Sequence, residues 1–262
     1  EKRTEAQELV GYLKIMAKDA IIENKNIFLQ DSSKEVQERL WLFEDYVQDG
    51  MDSQFFNPNF KNRAVSELTQ HYNSEVIRLI QENTPESWQD ALYMSEKIIK
   101  MNEGYPCDYD TFACNAPVSK HRPEHLDAYV YNISARFVAG QSDETLAVAD
   151  SFLDKFYPGK NYAYDQNDPV LASRMIKIVE KAYLYSRALA YDSEMNNDID
   201  SYKSYMCRAL DYLRILNEAT CYNVGDETLR DKCYNDSGIG AAENSYLVGL
   251  PHMEEGFGDI CE

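Results

Sequence analysis

The side chains best spaced for chemistry are those of His121-Arg122-Pro123-Glu124-His125. Their pattern is H-x-x-E-H, in which two imidazoles on one helix face hold zinc and the glutamate acts as general base for hydrolysis. That arrangement needs both histidines on one continuous helix. Pro123 works against it: proline disfavours helical torsions at Arg122 and clashes with a preceding turn, which puts His121 ahead of the helix. A third carboxylate ligand exists almost anywhere in so acidic a chain and adds no support. The plainer reading is an ordinary helix start, with Pro123 and Glu124 in its first turn. Only that reading accounts for the proline.

Other chemical patterns are weaker. The run Asp192-Ser193-Glu194-Met195-Asn196-Asn197-Asp198-Ile199-Asp200 alternates oxygen ligands as calcium loops do. It lacks the central glycine, and Lys203 stands where a bidentate glutamate belongs, which excludes an EF-hand and leaves a solvated acidic turn, with a weak surface calcium site as the alternative. Glu254, Glu255, Asp259 and Glu262 near His252 read as an acidic tail. There is no G-x-S-x-G, no S-x-x-K and no glycine-rich phosphate loop. Paired carboxylates carry no information among 45 acids. His71, beside Tyr72, reads as the edge of an apolar stripe. Catalysis is the lesser expectation, and no cofactor or metal is implied.

Tyrosine is abundant, with 20 in the chain. Tyr183, Tyr185, Tyr191, Tyr202, Tyr205 and Tyr212 all fall between residues 168 and 221. An apolar ring with a polar tip suits half-buried helix seams and also recognition grooves for peptides or sugars. These six are the candidate binding residues, and seam filling is the competing account.

Against 26 basic residues stand 45 acidic ones, a net of -19. Such a field repels nucleic acid and anionic lipid. No apolar run approaches the roughly 18 residues of a membrane span. Six cysteines (Cys107, Cys114, Cys207, Cys221, Cys233 and Cys261) form no C-x-x-C, so a structural zinc site or thioredoxin-type pair is not expected. Their even number, in loops and near the end of the chain, points to disulfides in an oxidising compartment. A start at Glu1 rather than Met is what signal-peptide removal leaves. The favoured pairing closes two short loops, Cys107–Cys114 and Cys221–Cys233, and ties the tail to a helix through Cys207–Cys261. Of two glycosylation sequons, Asn132-Ile133-Ser134 falls in an expected helix and reads as chance; Asn235-Asp236-Ser237 falls in an expected loop.

The elements that would position these groups are helices. Thr4-x-x-Gln7 and Ser32-x-x-Glu35 open the first two, with apolar steps of three and four behind them. Val65, Leu68, Tyr72, Val76 and Leu79 mark a third. Thr84-Pro85-Glu86 caps a fourth that stops at Gly104, Pro123 starts a fifth that closes at Gly140, and Ser142 caps a sixth ended by Pro158-Gly159. Asp168-Pro169 opens a long hairpin with an acidic turn at Asp192–Asp198, its first helix apolar along two rows (Leu171, Met175, Ile178, Ala182, Tyr185, Leu189; Ala172, Ile176, Val179, Tyr183, Ala190). Its second helix repeats Ile199, Tyr202, Met206, Ala209, Leu213 and Leu216. A short helix follows over residues 227–236, and the glycine-rich tail reads as irregular, with at most a short helix around Ala241–Val248.

The expected fold is all-α: about eight amphipathic helices in antiparallel hairpins, disulfide-bonded, as a TPR-like α-solenoid or a multi-helix bundle. No 34-residue period recurs and no Trp-x-x-Leu-Gly precedes the hairpin. The chain reads as one domain, 1–262, with a candidate internal boundary in the loop 104–121. The expected function is a non-catalytic, secreted or periplasmic module binding a protein, peptide or glycan. The alternatives are a metal-dependent hydrolase built on His121, Glu124 and His125, or an apolar small-molecule carrier.

Overall fold

Four helices begin at a proline, where the missing N–H is not needed and φ is already helical. They are α1 (Pro58–Glu82), α2 (Pro85–Gly104), α3 (Pro123–Val138) and, after α4 (Ser142–Phe156), α5 (Pro169–Met195). Three more follow: α6 (Ile199–Ala219), α7 (Glu227–Ser237) and α8 (Glu243–Cys261). The computed structural model describes residues 58–104, 120–163, 165, 167–221, 224–237 and 243–261, with short stretches at 7, 9–13, 16 and 38–39. No strand occurs among the described residues. Residues 9–13 and 38–39 are helical where the first two helices were expected; the rest of those helices, and loop residues 105–119 with Cys107 and Cys114, lie outside the described residues.

The caps explain the boundaries. Ser87 N–H donates to Thr84 Oγ1 (3.1 Å) and Thr84 N–H to Ser87 Oγ (2.9 Å), a reciprocal cap at the start of α2. Asp168 accepts from Leu171 N–H at 3.0 Å, and Asp198 from Ser201 N–H at 3.1 Å. Helix α4 departs from expectation: its cap is Gln141, whose carbonyl accepts from Thr145 N–H at 2.9 Å, and Ser142 is the first helical residue. Gly140, at φ +72°, makes the left-handed turn between α3 and α4.

The helices stack as successive hairpins. Each helix from α1 to α6 packs on the next, and the leading helices also touch, α1 against α3 and α3 against α5. This neighbour pattern is consistent with a TPR-like stack. Helix α2 packs on α3 across the loop that was the candidate boundary. Two apolar clusters run through the stack. One joins Val65, Leu68, Tyr72, Val76 and Leu79 of α1 to Ala91, Met94 and Ile98 of α2, with Ala128 of α3. The larger joins Leu126, Phe152, Met175, Ile178, Leu213 and their neighbours from α3 to α6. Ile99 packs against both.

Three expectations need correction. Helix α5 runs through Asp192 to Met195, so the turn of the hairpin is only three residues long, and Ile199 at its far side is 56% exposed rather than part of the stripe. Asn235 and Ser237 lie in α7 rather than in a loop. The tail is not irregular: α8 is a 19-residue helix with Pro251 inside it. It docks on α6 through discrete links. Cys207 and Cys261 are bonded, with Cα atoms 5.3 Å apart, as expected. Arg214 donates to both carboxylate oxygens of Glu254 at 2.7 and 2.9 Å, and Tyr202 meets the Phe257 ring edge-on at 6.1 Å. Leu250 and Met253 rest on the larger cluster. Cys221, buried, is also disulfide-bonded. Cys233 lies in α7, with its side chain outside the described residues.

Candidate functional site

A groove opens where α2 and α4 stand on either side of α3. Its volume is about 520 Å3, and it is lined from α2 by Glu96, Ile99, Lys100 and Glu103, from α3 by Tyr129, Asn132 and Arg136, and from α4 by Glu144, Ala147, Val148 and Ser151. The spacing follows from helix geometry. Residues 96, 99, 100 and 103 share one face of α2, and 144, 147, 148 and 151 share one face of α4. Among the described residues no helix covers that side of either face, and apolar Ile99, Ala147 and Val148, the first and last partly buried against the larger cluster, lie between charged rims.

Most charges here hold the groove together. Arg136 is built into the floor: its Nε donates to Asn132 Oδ1 (2.9 Å), Nη1 to Gln141 Oε1 (2.7 Å) and Nη2 to Glu96 Oε1 (2.5 Å). Asn132, buried, donates from Nδ2 to Ser95 Oγ at 3.1 Å, tying α3 to α2. Lys100 Nζ lies 3.9 Å from the other oxygen of Glu96. At the far end Glu103 accepts from the Tyr129 hydroxyl and pairs with Lys155 at 2.5 Å. Burial, then the hydrogen bond to Glu103, raises the Tyr129 phenol above its ordinary range, so it stays a donor. Glu144 is exposed and has no partner among the described residues.

Beneath that end sits an aromatic cluster holding both histidines of the H-x-x-E-H segment. Arg122 is extended, at φ -66° and ψ 130°, and caps α3, so His121 precedes the helix as Pro123 requires. The His121 ring meets Phe156 edge-on at 4.8 Å, and its Nδ1 lies 3.4 Å from Asp168 Oδ2. Burial pushes the Asp168 carboxyl up, but the hydrogen bonds from His121 and Leu171 N–H outweigh it and hold the group below the usual range. His125 is buried against Tyr129 and Phe156, with ring centroids 5.6 and 6.0 Å away, and its Nε2 has no hydrogen-bond partner among the described residues. Burial first, then the nearby cations of Lys155, His121 and Arg122, lower its pKa to about 3. The fold brings the two histidines to one phenyl ring, but with cations rather than carboxylates around His125, and half-buried Glu124 completes no ligand set. Among the described residues no group of three or more His, Cys, Asp or Glu side chains is placed to hold a metal ion. In the acidic hairpin turn, Asp192 and Glu194 belong to α5 and Asp198 caps α6.

The six tyrosines are not gathered on one surface. Tyr212 is buried and donates to Asp150 of α4 at 2.6 Å; Tyr205 donates to Asp143 of α4 at 3.1 Å. Tyr185 stacks flat on Phe137 of α3 at 3.9 Å, while Tyr202 faces α8. Tyr183 is buried on its own helix with Arg187 over its ring. Only Tyr191 stands in solvent, 61% exposed. Five of the six therefore fill helix seams. Asn132 of the first sequon is buried at 1% exposure and bonded, which removes it as a glycan acceptor.

The groove was missed from sequence because its residues come from three helices, each ordinary alone. The one available signal was polar: Ser95, Asn102 and Asn132 interrupt apolar stripes and are buried. Asn102 bonds Thr69 of α1 at 2.9 Å as Asn132 bonds Ser95, so buried amides pin α1, α2 and α3 together. No protein family matches this chain, and neither does any curated protein or solved structure.

Proposed function

We propose that this chain is a non-catalytic binding module working in an oxidising, extracytoplasmic compartment, and that it recognises a protein or peptide through the α2–α3–α4 groove. The observation that supports this most is the groove itself: a rigid polar frame of Arg136, Glu96, Asn132 and Glu103 around an uncovered apolar strip of Ile99, Ala147 and Val148. Pre-formed concavities of this size, apolar between a few fixed polar groups, are the common form of ligand sites. The groove has no nucleophile–base pair, and its one arginine is consumed by framework bonds, which favours recognition over chemistry. The Cys207–Cys261 bond supports the compartment.

A glycan fits less well. Sugar sites present an open aromatic face, whereas Tyr129 is 3% exposed and packed against Phe152. The metal-dependent hydrolase is the second reading, resting on His121 and His125 meeting at Phe156.

Both readings are separated by screening the full chain on peptide and glycan arrays with and without EDTA, beside elemental analysis of the same sample. Binding that persists in EDTA, with no stoichiometric metal, is the expected result. One zinc per chain, lost in His125→Ala, would replace the binding module with the hydrolase.

A further inference from the structure

Resting on that reading, we infer that the groove takes a short extended peptide segment carrying an aliphatic side chain next to a lysine or arginine. Length comes first. Glu96 to Glu103 and Glu144 to Ser151 each span two helical turns, so each wall is about 10 Å long at 1.5 Å per residue. An extended chain advances about 3.3 Å per residue, so the groove holds about three residues. A docked helix would lay a stripe of i, i+3, i+4 and i+7 anchors on the groove, whereas the strip offers only Ile99, Ala147 and Val148 as aliphatic contacts.

The chemistry of the walls then selects the side chains. The buried cation is committed, Arg136 to Asn132, Gln141 and Glu96, and Lys155 is paired with Glu103, while exposed Lys100 lies 3.9 Å from Glu96. An anionic ligand would have to displace Glu96 or Glu103 from Arg136 or Lys155, or compete with Glu96 for Lys100, inside a chain of net charge -19. The uncommitted polar group at the opposite rim is the Glu144 carboxylate, exposed at the start of α4. It stands one turn from Ala147 and Val148, which face Ile99 across the strip. A basic side chain at Glu144 therefore leaves its neighbour over the aliphatic strip, and the main chain then runs toward the exposed Ser151 hydroxyl. Backbone hydrogen bonding and one filled apolar site are the usual elements of extended-peptide recognition. The acidic field of the whole chain adds long-range attraction for the same basic ligand.

A second hollow of about 370 Å3, between the start of α2 and the end of α3, offers no such selection. Its polar groups are spent on capping: Trp88 Nε1 donates to Asn83 Oδ1 at 2.9 Å, and Thr84 and Ser87 bond each other.

The test uses the full chain, 15N-labelled, titrated with three capped tripeptides: acetyl-Arg-Leu-Ala-amide, acetyl-Glu-Leu-Ala-amide and acetyl-Arg-Ser-Ala-amide. The expected result is that the first shifts the amide signals of Ile99, Ala147 and Val148. Acetyl-Arg-Ser-Ala-amide should bind at least about tenfold more weakly, the loss expected when a buried leucine is removed, and acetyl-Glu-Leu-Ala-amide about two- to fivefold more weakly, the worth of an exposed charge pair. Glu144→Gln, which keeps shape and leaves folding untouched at an exposed site, should weaken the first peptide by about two- to fivefold and reduce its preference over the acidic one. Equal binding of the acidic peptide, or shifts confined to another face, overturns this ligand while leaving the binding module in place. No response to any tripeptide, with groove signals moved instead by an array-selected glycan, does the same. Silence from all tripeptides and from both arrays removes the ligand and the binding module together.

Discussion

Two junctions made by the same helix hold by different means. On one side α6 meets α5 through continuous apolar rows: Ala209, Leu213 and Leu216 against Met175, Ile178, Val179 and Ala182, all buried. On its other side α6 meets α8 through separate links, the Cys207–Cys261 bond, the Arg214–Glu254 pair and the Tyr202–Phe257 contact. The first junction is distributed, so no single residue controls it, and each deleted methylene has a cost. Among the described residues the second has only Leu250 and Met253 resting on the apolar cluster, and adds to them one covalent bond and an exposed ion pair. The lesson is that a helical stack can end in a segment without a strong stripe, provided the chain fastens it.

The comparison is broken most severely at the apolar junction. Leu213→Ala removes a fully buried side chain between α5 and α6 and is expected to lower stability by about 2–5 kcal/mol, seen as a fall in the urea midpoint without a change in slope. A loss well under about 1 kcal/mol would mean that the rows are not packed as described.

Next in size is Cys261→Ser. Freeing a link across 54 residues is expected to cost about 2–4 kcal/mol, concentrated locally. Amide exchange should speed up in α8 while α5 and α6 keep their protection. Equal loss in all three would merge the two junctions into one.

Acid tests the junction beneath the groove. The folded His125 pKa, about 3, lies below its unfolded value near 6.5. The unfolded chain therefore binds a proton first as pH falls. The resulting stability is fully present above about pH 6.5 and declines towards pH 3, by at most about 1.4 kcal/mol per pH unit from this group. His125→Leu should flatten that part of the stability–pH curve relative to the native chain. An unchanged slope would show that His125 is protonated in the fold.

The smallest effect belongs to Arg214→Ala. The Glu254 partner is solvent-exposed, so the pair is screened and global stability should stay within experimental error of the native chain. A change as large as that of Cys261→Ser would move the strength of the α8 junction from its covalent bond to its ion pair.

The same contrast explains what could be read from the sequence. Both rows of α5 are buried almost as spaced, and Thr84, Pro123, Asp168 and Asp198 mark helix starts because capping is local. Helix α8 was not legible, since Pro251 and several glycines weaken its pattern and the contacts that hold it come from residues about 40 to 55 positions away. The tyrosines show a related limit: composition counts them but does not say which seam each enters. The groove lay deeper still, because an uncovered strip is defined by what fails to pack on it, and no single helix records that.

The most direct test of the account sets the groove against the hairpin tip. Val148→Trp fills the strip, and Tyr191→Ala removes the one tyrosine of the six that stands in solvent. With thermal midpoints confirming that both variants fold, binding to an array-selected peptide should fall at least about tenfold in Val148→Trp and stay unchanged in Tyr191→Ala. The reverse pattern would contradict the groove as the recognition site and return it to the tyrosine surface of the hairpin.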